Sequence, residues 1–231
     1  MHEPIPNVPH LVLPAELRRL HRTLLQGLLT TGTVPCPDVL GRAAGVAPAV
    51  LPARLRALVA ADYAALDAEG RLVCLYPLSA VPTPHVVLIE GQRRHAMCAI
   101  DALEIPAMLN RVLGVEGVCA ACGAPIRLAV RPGWVAVAEP ATAVIVARRD
   151  DHAPAATACC PFTVFACGEV HGQRLAERRS GASLLSLGEA LTHAEALFGD
   201  LLQGDILPAH RRRWGSLTGK HYGDNRMNTP E

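Results

Sequence analysis

The chain has very few aromatic residues and almost no lysine. Phenylalanine, tryptophan and tyrosine together make up 3% of its 231 residues, and Lys220 is the single lysine among 22 basic residues. So few rings exclude a core organised by aromatic packing, which leaves alanine, leucine, valine and isoleucine to fill it. Arginine takes the place of lysine throughout, a pattern that reads as codon bias and not as function. There is no excess of charge either: the net charge is +1, giving no global reason to bind nucleic acid or an anionic membrane. No apolar run reaches the roughly 18 residues of a membrane span. The opening "MHEPIPNVPH" lacks a basic region followed by an apolar one, so no secretory signal is expected and the cytosol is the expected compartment.

What is present is a composition that folds. Half of the residues are hydrophobic and 19% are charged, which sets the chain apart from disordered sequences. Its length suits one large domain or two small ones. It has eight cysteines, at positions 36, 74, 98, 119, 122, 159, 160 and 167. In a compartment that keeps thiols reduced, these point to metal or thiol chemistry more than to a disulfide framework. Cys36 and Cys74, taken singly, read as small buried apolar residues.

Hydrophobic periodicity predicts an α+β protein. Residues 1–13 form an expected arm. Residues 14–32 read as a helix with Leu17, Leu20, Leu24, Leu25 and Leu28 on one side, and Gly32 as its stop. A short helix over 37–46, a helix over 47–63 and a hairpin over 64–78 complete the outline of a winged-helix-like module at 14–80. Such modules often place their last helix in the major groove of DNA. Here that helix offers only Arg54 and Arg56 and no basic stripe, so a helical cap packed on the next domain is favoured and nucleic acid is an unexpected partner. A mixed-sheet catalytic domain with flanking helices is expected over 81–202. It has a strand at 85–91, a helical stretch over 93–114 broken near Pro106, strands at 125–130, 134–140, 142–149 and 159–167, and a closing helix over 183–202. The polar tail at 203–231 has no apolar pattern.

Three stretches carry chemistry. "MCAIDAL" places Cys98 and Asp101 three residues apart, on one face if the segment is helical. A carboxyl on so apolar a helix is costly unless it has a task or a partner, and burial would raise its pKa towards a proton-delivering range. An exposed or capping aspartate is the plainer alternative. "VCAACGAP" is a Cys-x-x-Cys followed by glycine, the shape of one zinc knuckle. With no second such pair, a closed site would have to borrow Cys159, Cys160, Cys167 or a histidine, and a turn containing two thiols is the favoured reading. In "CCPFTVFA", strand alternation places Cys160 with Phe162 and Val164 towards the core and leaves Cys159 to face a site.

Taken in order, "HAMCAIDALEIPAML", "VCAACGAP", a looser "VAVAEP", "CCPFTVFA" and "SLGEA" resemble the organomercurial lyase (alkylmercury lyase) family. The resemblance implies a winged-helix-like module before a catalytic domain. It implies two essential thiols at Cys98 and Cys159, a proton-donating aspartate at Asp101 and a structural cysteine at Cys119. The implied activity is cleavage of a carbon–mercury bond by protonolysis, with mercury held on Cys98, Cys159 and Asp101. No resident cofactor is implied: Hg(II) is the bound product, removed by cellular thiols or a mercury-accepting protein. Met97 stands where the family often has an aromatic residue, and Phe162-Thr163 replaces a histidine-containing stretch. Two other readings stay open: a lyase fold recruited to soft-metal (Cu or Hg) binding or another thiol-dependent reaction, and a winged-helix regulator whose thiols sense metal.

Overall fold

The computed structural model describes residues 13–34, 36–148 and 153–198; the arm expected over 1–13, apart from the buried Leu13, and the tail at 203–231 lie outside them. Helix α1 (Ala15–Thr31) buries the leucine stripe read from the sequence, with Leu20, Leu24 and Leu25 fully enclosed. Gly32 ends it in the left-handed conformation (φ 74°), its N–H donating to the Leu28 carbonyl. Helix α2 (Pro37–Ala44) follows, then a 3-10 turn at Pro48–Val50 and helix α3 (Leu51–Ala60), with Pro52 in its first turn. Strands β1 (Ala64–Leu66), β2 (Leu72–Leu75) and β3 (Leu78–Ser79) come next. Asp67 closes the β1–β2 turn by accepting from the N–H groups of Glu69 and Arg71.

The rest of the chain contributes β4 (Val86–Ile89), β5 (Gln92–Ala96), helix α4 (Ala99–Met108), β6 (Leu113–Val118), β7 (Pro125–Arg131), β8 (Trp134–Glu139) and β9 (Val144–Arg148). After these come α5 (Ala155–Ala158), a 3-10 turn at Cys160–Phe162, β10 (Val164–Ala166), α6 (Glu169–Glu177), β11 (Ala182–Ser186) and α7 (Leu187–Phe198). Eight strands form one sheet in the order β1-β2-β3-β5-β4-β6-β7-β8, and β10-β9-β11 form a second. Every pairing among the described residues is antiparallel. The α+β class read from the sequence is the class observed. The larger sheet runs without a break from the N-terminal hairpin, β1–β2, to β8.

Several predicted elements change. The helical stretch expected over 93–114 is a strand, a ten-residue helix and a second strand. Residues 92–96 escape periodicity analysis because their inward position is taken by a charged residue, Arg94, which is buried. Its guanidinium donates to the carbonyls of Leu29 at 2.8 Å and Thr30 at 2.6 Å, capping the last turn of α1 and joining the N-terminal helices to the sheet. The closing helix begins only at Leu187, because 182–186 pair with β9 as a strand. Ser186 and Glu189 mark the start reciprocally: the Glu189 carboxylate accepts from the Ser186 N–H, and the Ser186 hydroxyl accepts from the Glu189 N–H. The strand expected over 159–167 shrinks to Val164–Ala166, since the chain is helical at 155–158 and turns again at 160–162.

The two sheets meet around Phe165, whose side chain is fully buried. Its ring lies against the backbone of Gly117 on β6, where a Cβ would stand 2.5 Å from Cδ2, so only glycine fits there. Gly117→Ala is therefore expected to cost about 1–3 kcal/mol by overpacking. Phe165→Leu removes the ring edge and should recover part of that loss in the double variant. Urea unfolding of the two single variants and the double variant checks this; strictly additive losses would disprove the contact.

Candidate active site

Cys98 does not lie inside a helix. It is the N-cap of α4, with an extended backbone (φ −147°, ψ −178°), and its sulfur accepts from the Asp101 N–H at 3.5 Å. The expected shared helix face is thus a cap in which sulfur takes the place usually held by a serine or aspartate oxygen. Two backbone bonds hold the entry extended, from Met97 N–H to the Pro77 carbonyl and from Ala99 N–H to the Thr163 carbonyl. The second ties the start of α4 to the turn that carries the cysteine pair.

That turn decides which cysteine reaches the site. Cys160 points inward, as alternation suggested, but inward is where Cys98 and Asp101 are. The core face and the site face are the same, because the site is buried. The sulfurs of Cys98 and Cys160 and a carboxylate oxygen of Asp101 all lie within 4.8 Å of one another. The Cys160 sulfur lies 3.8 Å from Asp101 Oδ2 and 3.6 Å from the Tyr76 hydroxyl, and its one proton can be donated to either. Cys98, Asp101 and Cys160 are only 5%, 3% and 6% exposed. Cys159, expected at the site, is half-buried and does not join the group. Alternation thus gives the inward direction of Cys160 but not the place of the group, which is on the buried side; the chain there is a 3-10 turn at residues 160–162, with Pro161 inside it, and not an extended strand.

Burial sets the electrostatics. Asp101 is pushed from 3.8 up to about 7 by desolvation, with the hydrogen bonds from Cys98 and Cys160 acting the other way. The carboxyl is therefore close to half-ionised at neutral pH and able both to take and to give a proton. The Cys98 thiol is held well above its ordinary range by burial first, then by Cys160 and Asp101, which outweigh the favourable helix N-terminus. It is kept protonated until something replaces the proton. A soft cation can do so, since thiolates prefer soft metals. Tyr76 was not singled out in the sequence. It is nearly fully buried, and its hydroxyl is raised by burial and by the neighbouring Cys160 and Cys74 thiols. An apolar flank, as in "CLYPL", is the only signal that could have found it.

Glu104, on the same helix, is completely buried, and neither carboxyl oxygen has a hydrogen-bond partner among the described residues. Desolvation pushes it up to about 9, with smaller contributions from Glu195 and Asp101.

The comparisons with known proteins agree with one another. A sequence profile of the alkylmercury lyase family, MerB, matches residues 78–199, more than half of the chain. The chain is similar to an alkylmercury lyase of Streptomyces lividans, 34% identical over 190 residues that cover 82% of this chain and 86% of that one. It is also similar to one from Staphylococcus epidermidis, 31% identical over 74% of this chain and 77% of the relative. An alkylmercury lyase of Bacillus cereus is 34% identical over 126 residues, and there the match spans only 57% of the relative's length. Among solved structures, the mercury-bound form of a protein called MerB2 superposes with a TM-score of 0.70 at 24% identity, covering 83% of this chain and 93% of that one. This last likeness concerns the fold.

The buried carboxyls predict a pH dependence of stability. A carboxyl whose folded pKa lies above its unfolded value keeps its proton longer in the folded state, so stability falls as pH rises from the unfolded value to the folded one. For Asp101 that window runs from 3.8 to about 7, and for Glu104 from 4.5 to about 9. Glu104→Gln should therefore raise Tm markedly at pH 9 and hardly at all near pH 5. Thermal unfolding across that range checks this, and a Tm difference that does not change with pH would disprove it.

Proposed function

The chain belongs to the alkylmercury lyase family, and on that premise we propose that it cleaves the carbon–mercury bond of an organomercurial by protonolysis. The observation that carries the proposal is the buried group of two thiols and one carboxyl, Cys98, Cys160 and Asp101. One thiol displaces the anionic ligand of R–Hg–X, and its proton leaves with X. The ionised carboxylate of Asp101 takes the proton of the second thiol, and that thiolate adds to mercury. More sulfur donation pushes electron density towards carbon. Asp101 then protonates the carbon, the electron pair of the C–Hg bond stays with carbon, R–H departs, and Hg(II) remains on two sulfurs. A carboxyl raised to about 7 can serve both proton steps near neutrality. A water-poor site strengthens each interaction on the mercury. Small-molecule thiols would remove the product by ligand exchange.

The geometry favours Cys160 as the second thiol, in the place the family resemblance gives to Cys159. The competing assignment rests on exposure: Cys159 is half-buried while the other two thiols are enclosed, so it could capture R–Hg from solvent first. Hydrocarbon release from an alkyl- or arylmercury in excess thiol tests both. Cys98→Ser and Cys160→Ser should each nearly abolish turnover, while Cys159→Ser keeps most of it. The opposite result for the adjacent pair, in folded protein, would move the role to Cys159.

Asp101→Asn should still take up mercury on both thiols but release hydrocarbon about 10²- to 10⁴-fold more slowly. Because the free enzyme needs the carboxylate to accept a thiol proton, kcat/KM should rise with pH through about 7. Turnover of Asp101→Asn within a factor of about three of the parent would leave the proton step without an owner and sink the protonolysis assignment.

A further inference from the structure

A second group of ligand-type side chains gathers at the far end of β10. Cys119 and Cys122 come from the turn between β6 and β7; Cys167 and His171 come from the end of β10 and the first turn of α6. One ligand atom from each of the four lies within 4.8 Å of all the others. We propose that Cys119, Cys122, Cys167 and His171 form a structural zinc site that clamps the β6–β7 turn to the start of α6.

The distances carry the proposal. A tetrahedral zinc ion with sulfur at about 2.3 Å and nitrogen at about 2.0–2.1 Å has sulfur–sulfur edges of about 3.8 Å and sulfur–nitrogen edges of about 3.6 Å. Here the Cys122 and Cys167 sulfurs are 3.8 Å apart. The Nδ1 of His171 lies 3.5 Å from the Cys119 sulfur and 3.1 Å from the Cys167 sulfur. The same ring nitrogen faces both sulfurs, which makes Nδ1 the ligand and leaves the ring proton on Nε2. Two of the four side chains are half-buried and Cys119 is buried, so the group is partly shielded from solvent.

The backbone is shaped for the task. Cys119 N–H donates to the Ala124 carbonyl and Gly123 N–H donates to the Cys119 carbonyl, both at 2.8 Å, folding the Cys-x-x-Cys into a tight knuckle. Gly123 takes the left-handed conformation that closes it (φ 74°). Three thiols and one imidazole fill all four positions of a tetrahedral ion, which is the composition of a closed structural site and not of a catalytic one. Binding replaces the three thiol protons with one Zn²⁺ and needs no oxidant or reductant. The clamp adjoins β10, and the cysteine pair lies just before that strand, so the ion would hold the strand from the side opposite the proposed active site.

Metal analysis of the full-length protein, purified without chelator, tests this. About one zinc per chain is expected, retained by Cys98→Ser and lost from a Cys122→Ser/His171→Ala variant. Should that variant fail to fold, cobalt replacement in the parent protein gives an independent reading. A tetrahedral thiolate site is expected to show sulfur-to-cobalt charge-transfer absorption and intense visible bands. Folded parent protein without zinc and with all eight cysteines titratable, a Cys122–Cys167 disulfide, or zinc that depends on Cys98 would each overturn the proposal.

Discussion

The packing of Phe165 is the constraint on which the rest depends. The ring is fully enclosed, lies against Gly117 of the large sheet, and stands 5.6 Å from the His85 ring. The Phe165 carbonyl accepts from the Ala120 N–H, so backbone and side chain both tie β10 to the turn after β6. In a chain with three phenylalanines in all, one ring therefore does much to set how the two sheets meet. Members of both cysteine groups flank this short strand. The cysteine pair lies just before it, Cys167 just after it, and His171 one helical turn beyond.

The two cysteine groups differ in a way that follows from where they sit. Cys98, Asp101 and Cys160 are enclosed, and burial raises the carboxyl and the Cys98 thiol together. The Cys98 thiol holds its proton at neutral pH, while Asp101 stands near its midpoint and can pass one on. Thiolates formed in so enclosed a place need a counter-charge, which the incoming cation brings. The second group is drawn together by the tight Cys-x-x-Cys turn and by His171, whose Nδ1 faces the sulfurs of Cys119 and Cys167. Placing an enclosed, proton-storing pair and a four-ligand group at opposite ends of one strand separates reactivity from support.

The N-terminal helices are joined to this arrangement by an unusual anchor. Arg94 is buried, yet its charge is met by the last carbonyls of α1 and not by a carboxylate. A helix C-terminus carries partial negative charge and unpaired acceptors, which suits a planar guanidinium with several donors. Of the two arginines available on α3 for an approaching nucleic acid, Arg54 is engaged by an ion pair with Glu16 on α1. These contacts hold the N-terminal helices against one another and against the sheet.

The sequence by itself determined the α+β class, the leucine stripe of α1, most of the strands, and the pairing of Cys98 with Asp101. Periodicity and turn residues are local properties that survive folding, whereas the spacing of three brings Cys98 and Asp101 together through an N-cap and not through a shared helix face. It also raised the suspicion attached to Cys119 and Cys122, and named Cys167 and a histidine among the possible additional ligands. What only the tertiary structure decided was non-local. Arg94 belongs to a strand because a helix end, distant in sequence, receives its charge. Cys160 and not Cys159 joins Asp101 because the group lies on the buried side, towards which Cys160 points. Glu104 is buried because α4 is enclosed on nearly every side. The fourth member of the second group, His171, sits in a stretch with little apolar pattern. Only the fold of β10 into α6 brings its ring onto the sulfurs, since no spacing rule links residue 122 to residue 171 until the chain between them has been packed.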